Sequence, residues 1–240
     1  MKHVLLVSAM MLSLTTLAQA TELPAAVAAG SPAAEATAAP APEAVPLPAP
    51  RPAVLANPNQ AILDHYRNLD PKKIIPGKLL AKAIVEYHTR LKDIKNPRYL
   101  TVIDYSQPST QKRFYIIDMK SGAVWRTYVA NGKGSEAKKN GQATAFGNDK
   151  RSHRSSVGVF LTRETYQGKH GLSLKLSGLS STNSNALSRA IVIHGANYVQ
   201  DKAVVQGRSY GCPALPMKYR TMVIDMIKGG SLILAASSVK

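Results

Sequence analysis

Hydrophobic and polar positions follow one spacing in the first part of the folded region and another after it. Between Asn59 and Lys95, apolar residues recur three or four positions apart, which is the spacing of one helix face. Pro71, Pro76 and Gly77 interrupt this pattern and therefore divide it into two predicted helices. Two short helices bury too little surface to form a domain, so we expect the segment 59–95 to pack against the residues that follow.

After Pro97 the pattern changes to short apolar or alternating runs bounded by turn residues, which is typical of β-strands. Strands are predicted at 99–105, 113–118, 123–130, 157–162, 172–176, 190–194 and 231–235. One helix is predicted at 217–227, and the segment 131–148, rich in Gly, Lys and Asn, is predicted to be a long loop. Many short strands with few helices indicate a mainly β sandwich or barrel, which we assign to one domain over residues 96–240.

The first 58 residues have a composition unlike that of a folded domain. Residues 1–20 combine an early lysine, an apolar run and a small-x-small ending, so they predict a signal peptide cleaved after Ala20. An uncleaved membrane anchor is the alternative, but the run is shorter than the roughly 20 apolar residues of a span. Residues 21–58 are mostly Ala and Pro, which predicts a disordered linker. We expect an exported protein of the periplasm or cell-wall space, with no stable membrane span after signal removal.

The charge suggests what kind of partner the protein meets. The chain has 31 Lys and Arg against 14 Asp and Glu, a net charge of +17. Such a surface attracts anions, and because export argues against nucleic acid, anionic cell-envelope polymers are the candidate partners. A solvated basic surface with no partner is the alternative. The six histidines are scattered and there is one cysteine, so no metal site or other cofactor is expected.

The candidate chemistry lies in the segment from Ile191 to Pro216. The one cysteine of the chain, Cys212, follows Gly211, and His194 lies 18 positions upstream at the end of a predicted strand. A thiolate is a nucleophile, and an imidazole can accept its proton. From these two residues alone, a small buried cysteine and a core histidine without catalytic roles are about as plausible.

Longer sequence segments carry a resemblance that favours the catalytic interpretation. IHGANYV and GRSYGCPAL resemble the active-site signature of the L,D-transpeptidase catalytic domains (YkuD-type), and most closely the branch with Ser-x-Gly-Cys-Pro. The segments IDYSQPSTQKRFYIID, VANGKGS, SSVGVF and TYQGKHGLSLKLSGL extend the resemblance over about residues 98–236. The resemblance implies an L,D-transpeptidase-like fold, with Cys212 as nucleophile and His194 as general base. Tyr210 stands where many members carry a second histidine.

The activity implied by the resemblance is the formation of cross-links between peptide stems of peptidoglycan through a thioester on Cys212. An L,D-carboxypeptidase or peptide hydrolase would use the same intermediate with water as acceptor. An envelope-binding protein with an idle thiol is the third possibility. If the enzyme interpretation holds, we expect Cys212 to be a thiolate with a lowered pKa.

Further site residues are predicted with more specific roles. The N–H groups of Cys212 and Gly211, with Tyr210, are the candidates for an oxyanion hole, and the Gly195 carbonyl is expected to orient the imidazole. Arg208 is a candidate for binding a stem carboxylate, with a surface ion pair as the alternative. The groove wall is predicted to include Tyr166, Lys169 and His170.

Overall fold

The computed structural model describes residues 57–237. The predicted signal peptide (1–20) lies outside the described residues, as does all but the last two residues of the predicted linker (21–58). None of the helices within 57–237 has both the length and the hydrophobicity that crossing a membrane requires.

A single mixed sheet of eight strands organises residues 57–237. The strands are β1 Tyr99–Asp104, β2 Phe114–Asp118, β3 Val124–Thr127, β4 Gly158–Gly168, β5 Gly171–Gly178, β6 Val192–Ala196, β7 Ala214–Pro216 and β8 Leu232–Ala236. Their spatial order is β3-β2-β1-β8-β4-β5-β6-β7. The pairs β1–β8 and β6–β7 are parallel, and the other pairs are antiparallel.

The two edges of this sheet approach each other. Beyond the end of β3, the Ala130 N–H donates to the Ala214 carbonyl of β7 at 2.9 Å. Two residues further, Gly132 forms an isolated parallel bridge with Ser209. The sheet is therefore a nearly closed barrel, and the mainly β architecture predicted from the sequence is confirmed.

Three α-helices cover the sheet: α1 Gln60–His65, α2 Gly77–Thr89 and α3 Arg220–Ile227. Side chains alternate between the two faces of a strand, so β1 and β8 supply apolar groups to a cluster on each side. On one side, α2 packs on the sheet with Leu79, Ala83, Ile84 and Tyr87. On the other, α3 packs with Val223, Ile224 and Ile227. Full burial of one such aliphatic or aromatic side chain contributes about 1.5–3 kcal/mol.

The structure differs from the prediction at five elements. Two are strand bounds: β3 is Val124–Thr127 rather than 123–130, and β6 is Val192–Ala196 rather than 190–194. Strand β7 was not predicted, because its three residues include a proline and form a strand only by pairing with β6. The β4–β5 hairpin is longer than predicted, since exposed residues at the end of β4 continue the strand and pair with the start of β5. The helix predicted at 217–227 begins with a 3-10 turn, Met217–Tyr219, before α3.

Candidate active site

His194 lies in the middle of β6, between β5 and β7, and its side chain is only 2% exposed. Its Nδ1 is 2.9 Å from the Gly195 carbonyl oxygen. Because a carbonyl can only accept, Nδ1 of the neutral ring carries the proton and Nε2 keeps its lone pair. Burial lowers the pKa of His194, and the neighbouring His170 lowers it further, although the Gly195 contact raises it. The resting imidazole is therefore neutral at neutral pH, as a general base must be.

Gly195 also has a steric reason to lack a side chain. A Cβ at this position would lie 2.8 Å from the Met217 Sδ and 3.0 Å from the Arg220 Cβ. The chain entering α3 thus packs directly on the backbone next to His194. The contact expected between the Gly195 carbonyl and the imidazole is present in this arrangement.

Cys212 is brought to the same region by the parallel pairing of β6 and β7, in which His194 is opposite Ala214. The half-buried thiol donates a hydrogen bond to the Ala190 carbonyl, with Sγ and O 3.6 Å apart. Burial raises the pKa of Cys212, and this effect exceeds the lowering by the Val192 backbone and by Arg189. The resting thiol is therefore protonated, and the expectation of a low-pKa thiolate is wrong.

The backbone beside the thiol is strained. Ala190, whose carbonyl accepts from Cys212, has a φ of 54°. A left-handed conformation in a residue other than glycine costs about 1–2 kcal/mol and persists only where the surroundings impose it. Such strain is concentrated at functional sites. The position of Ala190 next to Cys212 therefore favours a functional role for this region over a purely structural one.

The turn that carries Cys212 is held by one hydroxyl. Ser209 Oγ accepts from the Gly211 N–H at 3.1 Å and donates to the Cys212 carbonyl at 2.6 Å. Gly211 has a φ of +123°, and a Cβ there would lie 2.8 Å from the Arg154 carbonyl oxygen. Ser209 is part of the motif GRSYGCPAL, but no role was predicted for it from the sequence. Its position just before a glycine turn could have indicated one, because serine hydroxyls often bridge backbone groups there.

This bridging affects the predicted oxyanion hole. The Gly211 N–H is engaged by Ser209, so it can face a substrate only if that bond is given up. None of the hydrogen bonds within residues 57–237 uses the Cys212 N–H as donor. Of the two predicted backbone donors, the Cys212 N–H is therefore the one that is available.

Tyr210 points outward from the same turn. Its side chain is 67% exposed, and its ring lies against His153, with ring centroids 4.4 Å apart. The Lys133 Nζ lies 4.3 Å from the Tyr210 ring centroid. The Tyr210 ring therefore lies on the surface of the Cys212 turn, between His153 and Lys133.

Of the three predicted groove residues, His170 lies nearest to the candidate base. Its ring stacks on that of His194, with centroids 4.3 Å apart and planes 21° apart. Tyr166, on β4, lines a cavity of about 280 Å³ together with Ala190. Lys169 is exposed in the turn between β4 and β5. The β4–β5 hairpin therefore forms one wall beside the imidazole.

Arg208 contacts the main chain of the loop 131–148 through one of its donors. It is half-buried, and its Nη1 donates to the Glu136 carbonyl oxygen at 3.3 Å. None of the five ion pairs within residues 57–237 includes it, so the surface ion-pair alternative is not observed there either. Its observed contact ties the segment before Cys212 to the loop 131–148.

A buried polar network anchors that loop. Arg113 is 0% exposed and donates to the Asn131 side-chain oxygen at 2.6 Å, while Asn131 Nδ2 donates to Glu136 at 3.1 Å. Burial lowers the pKa of Arg113 to about 10, against the raising effect of Tyr105 and Glu136. Ser209 N–H donates to the Asn131 carbonyl at 2.9 Å, which connects this network to the Cys212 turn.

Arg189 is a charged neighbour of Cys212 that sequence reasoning missed. Its guanidinium donates to the Gly147 carbonyl at 2.8 Å, to Ser156 Oγ at 2.6 Å and to the Arg154 carbonyl at 2.7 Å. These bonds hold a positive charge close enough to the thiol to lower its pKa in part. Nothing in the local sequence indicates this role, because the partners are more than 30 residues away in the chain.

The described residues offer no metal site: no group of three His, Cys, Asp or Glu within 57–237 is arranged to hold an ion. The site instead consists of a thiol in the turn before β7 and an imidazole on the adjacent parallel strand β6, with main-chain and cationic groups around the thiol.

The fold is a nearly closed β-barrel with the Cys212 turn beside the strand of His194, and the sequence relationship identifies the class of domain to which it belongs. Residues 72–235 match the model of the L,D-transpeptidase catalytic domain, so the chain belongs to this family. The resemblance noted from the sequence motifs is thereby confirmed, and the matched region begins before α2 and includes it.

Solved structures similar to this chain have low sequence identity to it. An L,D-transpeptidase from Mycobacterium smegmatis is 14% identical, with 58% of each chain covered and a TM-score of 0.37. Bd1075 from Bdellovibrio bacteriovorus is 14% identical, with 60% of this chain and 49% of that chain covered and a TM-score of 0.38. An L,D-transpeptidase from Xylanimonas cellulosilytica is 14% identical, with 57% of this chain and 60% of that chain covered and a TM-score of 0.34. The chain thus spans about half to three fifths of these structures. No curated protein matches it significantly.

Proposed function

We propose that this protein is a murein L,D-transpeptidase that forms peptide cross-links in peptidoglycan through an acyl-enzyme on Cys212. The observation that carries the proposal is the pairing of β6 with β7, which sets the Cys212 turn beside the strand of His194 in a chain of the L,D-transpeptidase family. The hydrogen bond between Nδ1 of His194 and the Gly195 carbonyl supports a role for Nε2 as the proton acceptor.

In the proposed first step, His194 takes the proton of the Cys212 thiol as Sγ attacks the carbonyl on the L-centre of a diamino acid in a stem peptide. The thioester bond forms, the bond to the terminal D-residue breaks, and His194 returns the proton to the leaving amine. Because burial lowers the pKa of His194 and raises that of Cys212, the neutral pair is favoured at rest, and the thiol must give up its proton for the attack. The Cys212 N–H is the proposed oxyanion donor, and removal of one such donor costs about 100-fold or more in rate.

In the proposed second step, the side-chain amine of a neighbouring stem attacks the thioester, and the amide bond of the cross-link forms as the bond to Cys212 Sγ breaks. The amine loses a proton to His194, which returns it to the thiol. Water in place of the amine would make the protein an L,D-carboxypeptidase or a peptide hydrolase. Tyr166, Lys169 and His170 form the proposed wall along which a stem lies, since His170 covers the base and Tyr166 lines the adjoining cavity.

The proposed location is the periplasm or the cell-wall space, reached through the predicted signal peptide. Peptidoglycan stems are the proposed partners, and the net charge of +17 supports attraction to anionic envelope polymers as well. Long-range attraction of this kind weakens as salt screens it.

Intact-protein mass spectrometry after incubation with a tetrapeptide stem tests the proposal. We expect one adduct per chain whose mass gain equals the mass of the stem minus that of the free amino acid released, absent in Cys212→Ala and strongly slowed in His194→Ala. His88→Ala is the matched control, because it also removes a histidine, but one that lies on α2, contacts Tyr66 and has no role in the proposed reaction. Absence of any adduct in the parent protein would favour the idle-thiol alternative.

The second step is tested by adding an amine-bearing stem to the acylated protein. A cross-linked dimer of stems supports the transpeptidase, whereas release of a tripeptide acid at an unchanged rate supports the hydrolase. Both products are distinguished by mass.

A further inference from the structure

Two histidine rings are stacked at the site, and the proton transfers described above use only one of them. The ring centroids of His170 and His194 are 4.3 Å apart, and their planes are inclined by 21°. His194 is 2% exposed, whereas His170 is exposed at the end of the β4–β5 hairpin. One ring therefore lies in the interior and the other faces water. We call these two rings the imidazole pair.

The backbone of the hairpin positions the outer ring. Lys169 and His170 form a two-residue turn between the last paired residues of β4 and β5. Gly171, the next residue, has a φ of 72°, a left-handed conformation that favours glycine. Ser173 Oγ donates to the Gly171 carbonyl at 3.0 Å, and Ser173 is opposite His194 in the pairing of β5 with β6. The turn is thus connected to the strand that carries the inner ring.

Arg220, the first residue of α3, contacts the same turn from the other side. Its Nη1 lies 3.5 Å from the His170 carbonyl oxygen and 2.7 Å from the point where a Cβ on Gly171 would stand. Its Cβ and Cδ each lie 3.0 Å from the corresponding point on Gly195. The arginine side chain therefore lies between the hairpin turn and the backbone beside His194, which links the positions of the two rings.

The charged groups around the imidazole pair leave it without an acidic partner. Within the part of the chain that the structure describes, neither ring donates to a carboxylate, and none of the five ion pairs includes a histidine. The neighbouring cations are Arg220 and, in the turn itself, Lys169. On the adjoining strands Glu164 pairs with Lys175 at 2.9 Å, and the turn before β7 contributes the protonated thiol of Cys212.

A stacked pair without an acid opposes a second proton once it has bound the first. Two unit charges 4.3 Å apart shift each other's pKa by about 0.7–3 units, between the limits of water and a protein surface. Burial lowers the pKa of His194, the Gly195 carbonyl raises it, and His170 lowers it. Water stabilises a cation on an exposed ring better than on a buried one, so we expect the first proton on His170.

We propose that His170 is a positioning residue that keeps the candidate base unprotonated: as the pH falls, it takes up the first proton of the imidazole pair, and its charge then opposes a proton on His194. The inference rests on the proposed function, in which a neutral His194 accepts the thiol proton, and it adds a regulation of the same site. A protonated base cannot accept that proton. The imidazole pair therefore extends acylation to a lower pH than His194 would reach without its neighbour.

NMR titration of the histidine rings tests the proposal without any reaction. In the parent protein, we expect the His170 signal to titrate at a higher pH than the His194 signal. His170→Phe keeps an aromatic ring on His194 but removes the charge, so the titration midpoint of His194 should rise by about 0.7–3 pH units. His65→Phe is the matched control, because it also removes an exposed histidine that contacts an aromatic ring, and it should leave the His194 midpoint unchanged.

The rate of acylation by a tetrapeptide stem, measured as a function of pH, gives the functional readout. The acid limb of this rate should move to higher pH in His170→Phe by the shift that NMR measures. The position of the limb is compared rather than the rate at its plateau, so a general weakening of the site does not produce the same result. His170→Gln, which lacks both the ring and the charge, should shift the limb in the same direction.

An unchanged His194 midpoint in both His170 variants would overturn the proposal. So would a parent protein in which His194 titrates at a higher pH than His170. The NMR measurement does not depend on the adduct at Cys212. Absence of acylation together with the expected NMR shifts would therefore count against the proposed function and not against the role of His170 in the imidazole pair.

Discussion

Replacing Ser209 by alanine tests whether one hydroxyl sets the geometry of the nucleophile. The change removes the acceptor of the Gly211 N–H and the donor to the Cys212 carbonyl, which are 3.1 and 2.6 Å from Ser209 Oγ. Ser209 is only 5% exposed, so solvent replaces these bonds poorly.

The size of the effect follows from these two contacts. A buried polar group left without a partner costs about 1–3 kcal/mol, and partial relaxation of the turn makes about 2 kcal/mol the expected total. For a domain of this size, that lowers the melting temperature by about 4–8 °C. A displacement of order 1 Å at a reacting atom reduces the rate about 100-fold, so acylation should fall more than stability alone would explain.

Thermal unfolding and the rate of acylation by a tetrapeptide stem measure the two effects separately. Ser209→Thr keeps the hydroxyl and should retain most of both. Ser121→Ala, in the exposed turn before β3, should change neither. If Ser209→Ala had the melting temperature and the acylation rate of the parent protein, the Ser209 hydroxyl would not be needed to hold the turn. Faster acylation would indicate that Ser209 withholds the Gly211 N–H from the oxyanion.

Three further predictions concern the same turn. Tyr210→Phe should acylate within about twofold of the parent, because the ring is exposed and rests on His153; a tenfold loss would assign a role to the hydroxyl. The rate of Cys212 alkylation by iodoacetamide should keep rising with pH above 9. The reason is that the thiol pKa is raised from 9.0, so the reactive thiolate forms only as the pH passes through this higher value. A constant rate from pH 5 to 8 would instead indicate an ion pair between the Cys212 thiolate and His194. Gly211→Ala should lower the free energy of unfolding by about 1–3 kcal/mol in urea titrations, because its φ is +123°; an unchanged midpoint would mean that the turn relaxes.

Local sequence patterns were sufficient for most secondary structure. The helical spacing of Leu79, Ala83, Ile84 and Tyr87 predicted the buried face of α2, because a 3.6-residue period is a property of the segment itself. Strand β7 was missed, since three residues beside a proline form a strand only when β6 supplies their partners. Pairing across distant segments leaves no local periodicity.

For the site, sequence motifs identified Cys212 and His194 as candidates, and the pairing of β6 with β7 sets the Cys212 turn beside the strand of His194. The ionisation of these two groups could not be predicted, because burial is the largest cause of both pKa shifts and depends on the packed barrel. The expected thiolate was wrong for this reason.

The chain by itself determined which residues can perform chemistry, because side-chain type and local pattern are written in the order of amino acids. Only the tertiary structure decided which charges surround them. Arg208 and Arg189 look equivalent in sequence and both donate to loop carbonyls, yet Arg189 is the one whose charge lowers the pKa of the Cys212 thiol in part. Their partners lie tens of residues away, so the difference arises when the barrel folds and brings the loops 131–148 and 147–156 against the Cys212 turn.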